Sequence, residues 1–439
     1  MFKRANMIRR LRSKRIKVAV DLTPMLPGGV NGGVKPAILE FIRALQRLSG
    51  PQFSFCFITA ASTHREVEAI ASERDSLICI EWPEAYAALT PTSFHKNRID
   101  LLYAPFGMVR FPDCGVPIVA MVVDILHRDY PFSISPKERQ WREDYFAQMV
   151  LCADRFQVIS DYTGERLAHH YGVPARKIFR TYLPIQDRLK VAHVPNQPVK
   201  RFFFYPANFW THKNHEVLLI AFQIYRHQAG AAAWDLVLTG SDDTRRHTLQ
   251  AFAAALGIED HVVFKGHVSE EELGRLFASA AALVFPSLHE GFGIPPLEAM
   301  RLGIPVLTSD AGGLREVVGD AGLLVDPKKP VQLAESMGNL ASSERLRADL
   351  RALGLQRAKI FSFQTEVALL AETLVKMKPT WDKVLRRGLV LWCSNGCAWA
   401  RAKATNVYRS FRNRLAGKAH KAGAREISRL KSRSGSSSE

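Results

Sequence analysis

Two carboxylates, Glu290 and Glu298, stand eight residues apart in a segment that also contains two closely spaced glycines. Glu290 lies in a loop beside Gly291 and Gly293, and Glu298 lies in the first turns of a helix predicted from about Pro295 to Arg301. Glycines let backbone N–H groups approach an anion closely, and a helix N-terminus adds partial positive charge. Carboxylates do not bind phosphate, so hydroxyl groups of a sugar or ribose are their natural partners. The segment therefore suits a phosphorylated sugar as its ligand.

This segment is predicted to connect two strands of a parallel sheet. The apolar run Ala281–Phe285 predicts a buried strand, and Pro286 ends it because proline has no N–H for a strand ladder. The helix stops at Gly303, and Ile304–Leu307 predicts the next strand. In open α/β sheets, ligands bind at the carboxyl ends of the strands, so both carboxylates are expected at a binding edge.

The whole string is similar to the Glu-x7-Glu element of retaining GT-B glycosyltransferases, in particular the family-4 group and its bacterial mannosyltransferase B-like members. The resemblance implies two Rossmann-like, doubly wound α/β domains facing each other across a cleft, with a nucleotide diphosphate sugar held by the C-terminal domain. Glu298 would hold the ribose, and Glu290 would hold sugar hydroxyls and position the anomeric carbon. The matching positions are Glu290, Gly291, Phe292, Gly293, Pro296, Glu298, Ala299 and Gly303.

A lysine before a predicted helix extends the resemblance. Tyr205–His215 is similar to the phosphate-binding loop of the family, in which Lys213 would meet the donor diphosphate. Many relatives carry an arginine a few residues earlier, but this chain has the uncharged Asn208 in that region. One cationic contact is therefore either absent or supplied elsewhere. Further donor contacts are expected at two strand ends, where plain β–α turns are the alternative: Gly240, Gly266 and Val268.

The N-terminal half opens with a strand, Ile16–Asp21, followed by a glycine-rich loop and a helix, Val34–Leu48. This sequence of elements is typical of the start of a Rossmann-like unit. Gly32 and Gly33 end the loop and are expected to approach the donor phosphates or the acceptor. A flexible β–α connection is the alternative explanation for both glycines.

A polar pair is predicted at the end of the fifth strand. Asp124, His127, Tyr130 and Pro131 match the family's His-Asp-Leu-Gln-His…Tyr-Pro element, whereas Val123 replaces its first histidine. Asp124 and His127 are expected to face the cleft. There His127 could orient an acceptor hydroxyl or accept its proton, because an unperturbed histidine titrates near neutral pH. The candidate catalytic residues are Asp124, His127, Lys213 and Glu290.

Strands and helices alternate along most of the chain, which predicts parallel sheets built by crossover connections. A chain of 439 residues is also long enough for two domains. The last helix of the family fold is expected to cross back onto the N-terminal domain. The predicted parts are a basic extension (1–15), an acceptor domain (16–190), a linker (187–200), a donor domain (200–358), the crossover helix (361–378) and a second basic extension (380–439).

The composition argues against several other classes of protein. No apolar run reaches transmembrane length, and the six cysteines are scattered, so we expect reduced thiols in a cytoplasmic protein. Cys393 and Cys397 form a C-x3-C pair without a second pair, which makes a poor zinc site. No Asp-x-Asp element marks a metal site. The resemblance implies metal-independent catalysis without a cofactor.

The positive charge is concentrated at the two ends of the chain. The formal net charge is +18, and residues 1–17 hold eight Lys or Arg and no acid, while residues 401–439 hold eleven and two acids. The second extension also repeats apolar residues at near-helical spacing, which predicts a basic amphipathic helix on an anionic membrane surface. Peripheral attachment to the inner face of the membrane is therefore expected. A solvated, disordered tail is the alternative. Nucleic-acid binding is less favoured, since a basic run attracts any phosphate and so does not indicate a nucleic acid in particular.

The resemblance implies retaining transfer of a hexose from a nucleotide diphosphate sugar to a glycan or lipid-linked saccharide, as in polysaccharide or lipopolysaccharide biosynthesis. Mannose from GDP-mannose is the first expectation, with UDP- and dTDP-sugars open. Two alternatives are a nucleotide-sugar epimerase of the same fold and a catalytically silent, sugar-nucleotide-binding scaffold. The presence of Lys213, Glu290 and Glu298 together argues against the scaffold.

Overall fold

The computed structural model describes residues 15–28, 33–81, 89–183, 189, 201–241 and 244–377. The first of its two sheets is wholly parallel, with the strand order β3-β2-β1-β4-β5-β6-β7. Strands β1 and β2 are almost entirely buried, as expected for a sheet covered on both faces. Its strands are β1 (Ile16–Asp21), β2 (Phe53–Ala60), β3 (Ser76–Ile80), β4 (Leu101–Ala104), β5 (Ile118–Val122), β6 (Arg155–Val158) and β7 (Ile178–Arg180).

The second sheet is also parallel and has the order β10-β9-β8-β11-β12-β13. In both sheets the order reverses beside the first strand, between β1 and β4 and between β8 and β11. Such switch points open a crevice at the carboxyl ends of the strands. Its strands are β8 (Phe202–Pro206), β9 (Asp235–Thr239), β10 (Val262–Gly266), β11 (Ala282–Phe285), β12 (Val306–Ser309) and β13 (Leu323–Val325).

Helices connect the strands and cover both sheets. Apolar residues spaced three or four apart, such as Ile38, Phe41 and Leu45, face the core from the first helix. The helices are α1 (Val34–Ser49), α2 (His64–Glu68), α3 (Pro91–Lys96), α4 (Leu126–Asp129), α5 (Pro136–Cys152), α6 (Asp161–Tyr171), α7 (His215–Ala229), α8 (Thr244–Ala255), α9 (Glu270–Ser279), α10 (Ile294–Arg301), α11 (Leu314–Val318), α12 (Pro330–Ser342), α13 (Glu344–Ala358) and α14 (Phe363–Lys376).

The last helix, α14, leaves the second domain and packs against α1 of the first. Near its start the Glu366 carboxylate accepts a hydrogen bond from the backbone N–H of Tyr182 at 2.8 Å. The predicted fold class, two doubly wound domains with a C-terminal crossover helix, is therefore confirmed. Most of the predicted linker and nearly all of both basic extensions lie outside the described residues.

Strand boundaries agree closely with the sequence, with small shifts at strand ends. The strand predicted at Ile304–Leu307 begins at Val306, because Val306 is the first residue of this segment to pair with β11. Within the part of the chain that the structure describes, no helix is both long enough and apolar enough to cross a bilayer.

Candidate functional site

A cleft of about 1090 Å³ lies between the two domains at the carboxyl edges of their sheets. Residues from both domains line it, and they include most of those predicted from sequence. Those predicted residues are Gly33, Asp124, Asn208, Lys213, Gly240, Val268, Glu290, Gly291, Phe292, Gly293 and Glu298.

Lys213 and Glu290 form an ion pair inside this cleft. The lysine Nζ donates to Glu290 Oε1 at 2.5 Å, and the side chains are only 12% and 16% exposed. Lys213 is held by a short turn after β8, where Tyr205 Oη donates to the lysine carbonyl at 2.7 Å. The next residue, Asn214, has φ +63° and donates its side-chain amide to the carbonyls of Pro286 and Pro327. These hydrogen bonds of Asn214 fix the turn that carries Lys213 against the loop that carries Glu290.

The glycine loop around Glu290 packs backbone to backbone with the loop before α11. Gly313 N donates to the Glu290 carbonyl at 2.9 Å, and a Cβ on Gly313 would lie 2.4 Å from the Gly291 oxygen. Gly293, at φ +125°, then leads into α10, where Glu298 is 2% exposed and lines the cleft. Both predicted carboxylates therefore face the same cavity as Lys213.

The same loop touches the N-terminal domain directly. Ser160 begins α6 and accepts from Thr163 N at 3.0 Å, while its hydroxyl donates to the Gly291 carbonyl at 2.6 Å. A Cβ on Gly291 would lie 1.7 Å from the Val123 oxygen at the end of β5. Only glycine fits at this position in the described arrangement of the domains.

Asp124 lies on the N-terminal wall of the cleft. Its carboxylate is 3.2 Å from Arg142 Nη1 and accepts from Leu126 N at 3.1 Å. Burial opposes ionisation, but Arg142 and the backbone hydrogen bond outweigh it, so the pKa of Asp124 falls below its usual value. Asp124 is thus a carboxylate held in its charged form beside the cavity.

His127 lies elsewhere than expected. Its ring is buried against Phe146, with centroids 4.6 Å apart, and Nε2 lies 2.6 Å from the Tyr171 hydroxyl. Burial lowers the pKa of His127 to about 4. It is not among the described residues that line the cleft. The prediction that His127 faces the cleft is therefore wrong, because the short helix α4 turns this side chain into the N-terminal core.

Three other residues were predicted to contact the donor, and the outcome differs for each of them. Gly266 does not line the cleft among the described residues; its carbonyl instead accepts from Gly240 N at 2.9 Å and supports that loop. Asn208 does line it, but its Oδ1 accepts from Ser241 N at 2.8 Å. Gly32 lies outside the described residues.

Sequence reasoning missed several polar residues of the cleft. His212 and His289 precede Lys213 and Glu290 directly, and both are buried on its wall. The signal was their adjacency to motif residues, which alone does not show which way a side chain points. Arg142 comes from the middle of α5, where no motif marks it. Among the described residues, no group of three or more His, Cys, Asp or Glu side chains is arranged to hold a metal.

Residues 188–357 match a family described as Glycosyl transferases group 1. This segment of the chain carries a group 1 glycosyltransferase domain. The matched range spans the whole second sheet, and it contains Lys213, Glu290 and Glu298. The ion pair and the glycine loop thus lie in the group 1 domain, and the crossover helix begins just after it.

Named relatives match parts of the chain. O-antigen chain mannosyltransferase B of Escherichia coli is 28% identical over 243 residues, which cover 52% of this chain and 62% of the relative. O-antigen chain mannosyltransferase RfbU of Salmonella typhimurium is 31% identical over 163 residues, 37% of this chain and 44% of the relative. The chain thus matches less than two thirds of the length of these relatives.

Solved structures share the fold over most of the chain. Anabaena HepE, solved in complex with UDP-glucose, superposes with a TM-score of 0.66 at 18% identity, covering 82% of this chain and all of that one. WaaG, described as a glycosyltransferase involved in lipopolysaccharide biosynthesis, gives a TM-score of 0.58 at 18% identity over 80% of this chain and 99% of that one. The protein has the GT-B fold, and its second sheet lies within the group 1 domain.

Proposed function

We propose that this protein is a retaining hexosyltransferase that uses a nucleotide diphosphate sugar. The observation that carries the proposal is the Lys213–Glu290 ion pair, 2.5 Å long, in the interdomain cleft of a chain with a group 1 domain. A cation beside a carboxylate suits a donor in which an anionic diphosphate is attached to a sugar ring that carries hydroxyl groups. Glu298, buried on the same wall, is placed to bind a further pair of hydroxyls such as those of a ribose.

The reaction breaks the bond between the anomeric carbon and the diphosphate oxygen and forms a bond to the oxygen of an acceptor hydroxyl, whose proton passes to the departing diphosphate. Negative charge develops on the leaving diphosphate, and Lys213 stabilises it together with the N-terminus of α10. Glu290 positions the sugar through its hydroxyls. The proposed reaction needs no metal, because these positive groups compensate the negative charge of the leaving diphosphate.

Asp124 is proposed to act on the acceptor side. It lies on the wall opposite the group 1 domain and stays ionised beside Arg142. An ionised carboxylate can accept a hydrogen bond from the attacking hydroxyl and so orient it. His127 is not part of this proposal, because its ring lies in the N-terminal core.

Mannose is the proposed sugar, with GDP-mannose as the donor and a glycan or lipid-linked saccharide as the acceptor. Support comes from the relatives named O-antigen chain mannosyltransferase in two bacteria. An acceptor of this kind is met at a membrane, and the basic ends of the sequence suit attachment to its anionic inner surface. That part of the proposal rests on sequence, since nearly all of both ends lie outside the described residues.

The decisive experiment compares sugar nucleotides with the intact protein. GDP-mannose, UDP-glucose and dTDP-glucose are each scored for thermal stabilisation and for slow hydrolysis. Lys213→Ala and Glu290→Ala should each lower hydrolysis of the preferred donor by about 100-fold or more. The matched controls are Lys376→Ala and Glu372→Ala, which break an ion pair of 2.5 Å on α14, a helix with no residue in the described cleft lining.

Each other outcome of this experiment has a defined meaning. Full activity in both cleft variants would refute the assigned roles. A donor that stabilises the protein strongly but is never turned over with any acceptor would favour a binding scaffold. Isomerisation of the donor sugar without any acceptor would identify an epimerase.

A further inference from the structure

A second cavity, of about 370 Å³, lies at the edge of the second sheet opposite the cleft. Arg201, Ala281 and Pro305 line it, and each directly precedes a strand, β8, β11 and β12 respectively. These strands are neighbours in the sheet, so the cavity lies at their amino ends. The cleft lies at the carboxyl ends and shares no described lining residue with this cavity.

Arginines dominate the lining of this cavity, which we call the arginine pocket. Its arginines are Arg201, Arg301, Arg347 and Arg351, and Glu344 is the one acid among the described lining residues. Glu344 pairs directly with Arg347 and lies 3.9 Å from Arg201. The hydrogen bond from Arg347, supported by the charges of Arg201 and Arg351, holds the pKa of Glu344 below its usual value. Three guanidinium groups therefore act on one carboxylate.

Contacts within the protein hold these arginines in place. Arg347 is buried, and its Nη1 donates to two carbonyls in the last turn of α12, at 2.5 and 3.0 Å. Its guanidinium lies 5.3 Å from the ring centroid of Trp234, and that of Arg201 lies 5.8 Å from the same centroid. Arg351 Nε donates to the Gly303 carbonyl at 3.0 Å. Side chains that are already positioned lose little freedom when a ligand binds.

Two of the arginines keep donors for a ligand. A guanidinium has five N–H donors, and Arg351 uses its Nε on the Gly303 carbonyl. The ion pair of Arg201 with Glu344, at 3.9 Å, is too long for a hydrogen bond. Both arginines are exposed, and the Arg201 side chain is 56% exposed, so a solute can reach them.

The chemistry of the pocket favours a phosphate group. The planar fork of an arginine matches two phosphate oxygens at once, and a phosphate monoester carries a charge of about −1.5 to −2 at pH 7. Such a charge would offset the excess of positive charge around Glu344. A cavity of about 370 Å³ is also larger than a bare phosphate and falls in the size range of small-molecule sites. It therefore suits a phosphate group carried by a larger molecule.

We propose that the arginine pocket binds a phosphate group, which Arg201 and Arg351 contact and Arg347 supports. Glu344 competes with the ligand for the same guanidinium groups, and its side chain, which is 67% exposed, can turn into solvent when the ligand binds. The phosphate belongs either to a small soluble molecule or to a lipid headgroup. The inference does not rest on the proposed function, because the pocket and the cleft lie at opposite edges of the sheet.

The test measures the affinity of the full-length protein for inorganic phosphate, by phosphorus NMR titration at constant ionic strength. All proteins carry Lys213→Ala, so that the cleft contributes little and equally. Arg201→Gln and Arg351→Gln should each weaken binding by about 10-fold or more, because each removes a charge-assisted contact. The matched control is Arg345→Gln, which removes the same charge from α13 outside the pocket lining and should change affinity by about twofold at most.

Two further variants sharpen the test. Glu344→Gln removes the competing carboxylate and should strengthen phosphate binding by about 5-fold, the opposite direction to the arginine variants. Arg351→Lys keeps the charge but loses the planar fork, so it should weaken binding by less than Arg351→Gln does. It also serves if the loss of the Gly303 contact prevents Arg351→Gln from folding.

Sedimentation with vesicles distinguishes the two sources of the phosphate. The arginine variants, again full-length, are mixed with vesicles of phosphatidylglycerol and phosphatidylcholine. If the ligand is a lipid headgroup, Arg201→Gln and Arg351→Gln should reduce sedimentation more than Arg345→Gln does. If it is a small soluble molecule, the three variants should sediment alike while their affinities for inorganic phosphate differ.

Two results would overturn the inference. If Arg201→Gln, Arg351→Gln and Arg345→Gln change phosphate affinity by the same factor, the positive charge of the protein in general attracts the phosphate. If Glu344→Gln and the arginine variants all leave the affinity unchanged, the pocket does not bind phosphate. Both results leave the proposed function untouched, since sugar nucleotide hydrolysis is measured separately.

Discussion

Ser160 in the N-terminal domain donates a hydrogen bond to the Gly291 carbonyl in the C-terminal domain at 2.6 Å. Ser160 Oγ also accepts a hydrogen bond from Thr163 N at 3.0 Å and so caps the start of helix α6. One hydroxyl therefore caps the start of a helix and, together with Thr163 Oγ1 at 3.3 Å from the same carbonyl, holds the glycine loop next to Glu290. The stability of a helix terminus and the geometry of the donor loop depend on one side chain.

Ser160→Ala should lower stability and also weaken donor use. Loss of the cap alone costs about 1 kcal/mol, and the buried Gly291 carbonyl would lose a partner as well. The matched control is Ser343→Ala, which removes a cap from α13, where Ser343 accepts from Leu346 N at 3.1 Å and no described residue lines the cleft. Thermal unfolding and the KM for the donor would be measured for both. An equal effect of the two variants on KM would contradict a role at the domain boundary.

Gly291→Ala should disrupt the contact between the domains. The added Cβ would meet the Val123 oxygen at 1.7 Å, so either the loop or the domains must move. Overpacking of this kind costs about 1–3 kcal/mol, and the displaced Glu290 should lower turnover as well. Gly338→Ala on α12 is the control, because nothing lies within 4 Å of its Cβ position. That change should stabilise the protein by up to about 1 kcal/mol. Unchanged turnover in Gly291→Ala would show that the close approach is not needed.

The buried His127 should make stability depend on pH in the mildly acidic range. Burial lowers its folded pKa from 6.5 to about 4, so only the unfolded chain takes up this proton between those values. Stability is then intact above pH 6.5 and is lost as pH falls towards 4, at about 1.4 kcal/mol per pH unit. His127→Phe should remove the contribution of this one proton to the dependence of stability on pH. The denaturant midpoint would be measured for both proteins from pH 7 to pH 4.5. Parallel curves for the two proteins would contradict the assignment.

The basic ends should make membrane binding sensitive to salt. The full chain should sediment with vesicles of anionic lipid at low ionic strength and be released as salt rises, since each Lys or Arg near the surface gains about 1 kcal/mol. A chain of residues 16–378 should stay in the supernatant. Equal binding by both chains, or binding by neither, would remove the membrane from the proposal.

Much of the fold follows from local patterns in the sequence. The strand β11, the proline after it, the glycine loop and the helix with Glu298 all follow from apolar runs, glycines and prolines within about twenty residues. Parallel pairing follows from the alternation of strands and helices. The position of Lys213 and Glu290 on the cleft was equally predictable, because both follow the carboxyl ends of parallel strands.

The remaining features depend on contacts between residues far apart in the chain. Asp124 and His127 are three residues apart, yet the short helix α4 sends one into the cleft and the other against Phe146. The hydrogen-bonded ion pair between Lys213 and Glu290 joins two residues that are 77 positions apart in the sequence. That His212 and His289 line the cleft is known only from the structure, because their position beside motif residues does not show which way their side chains point. The sequence alone determined the secondary structure, since local patterning dictates it, whereas side-chain direction and partnership were decided by the packing of the two domains.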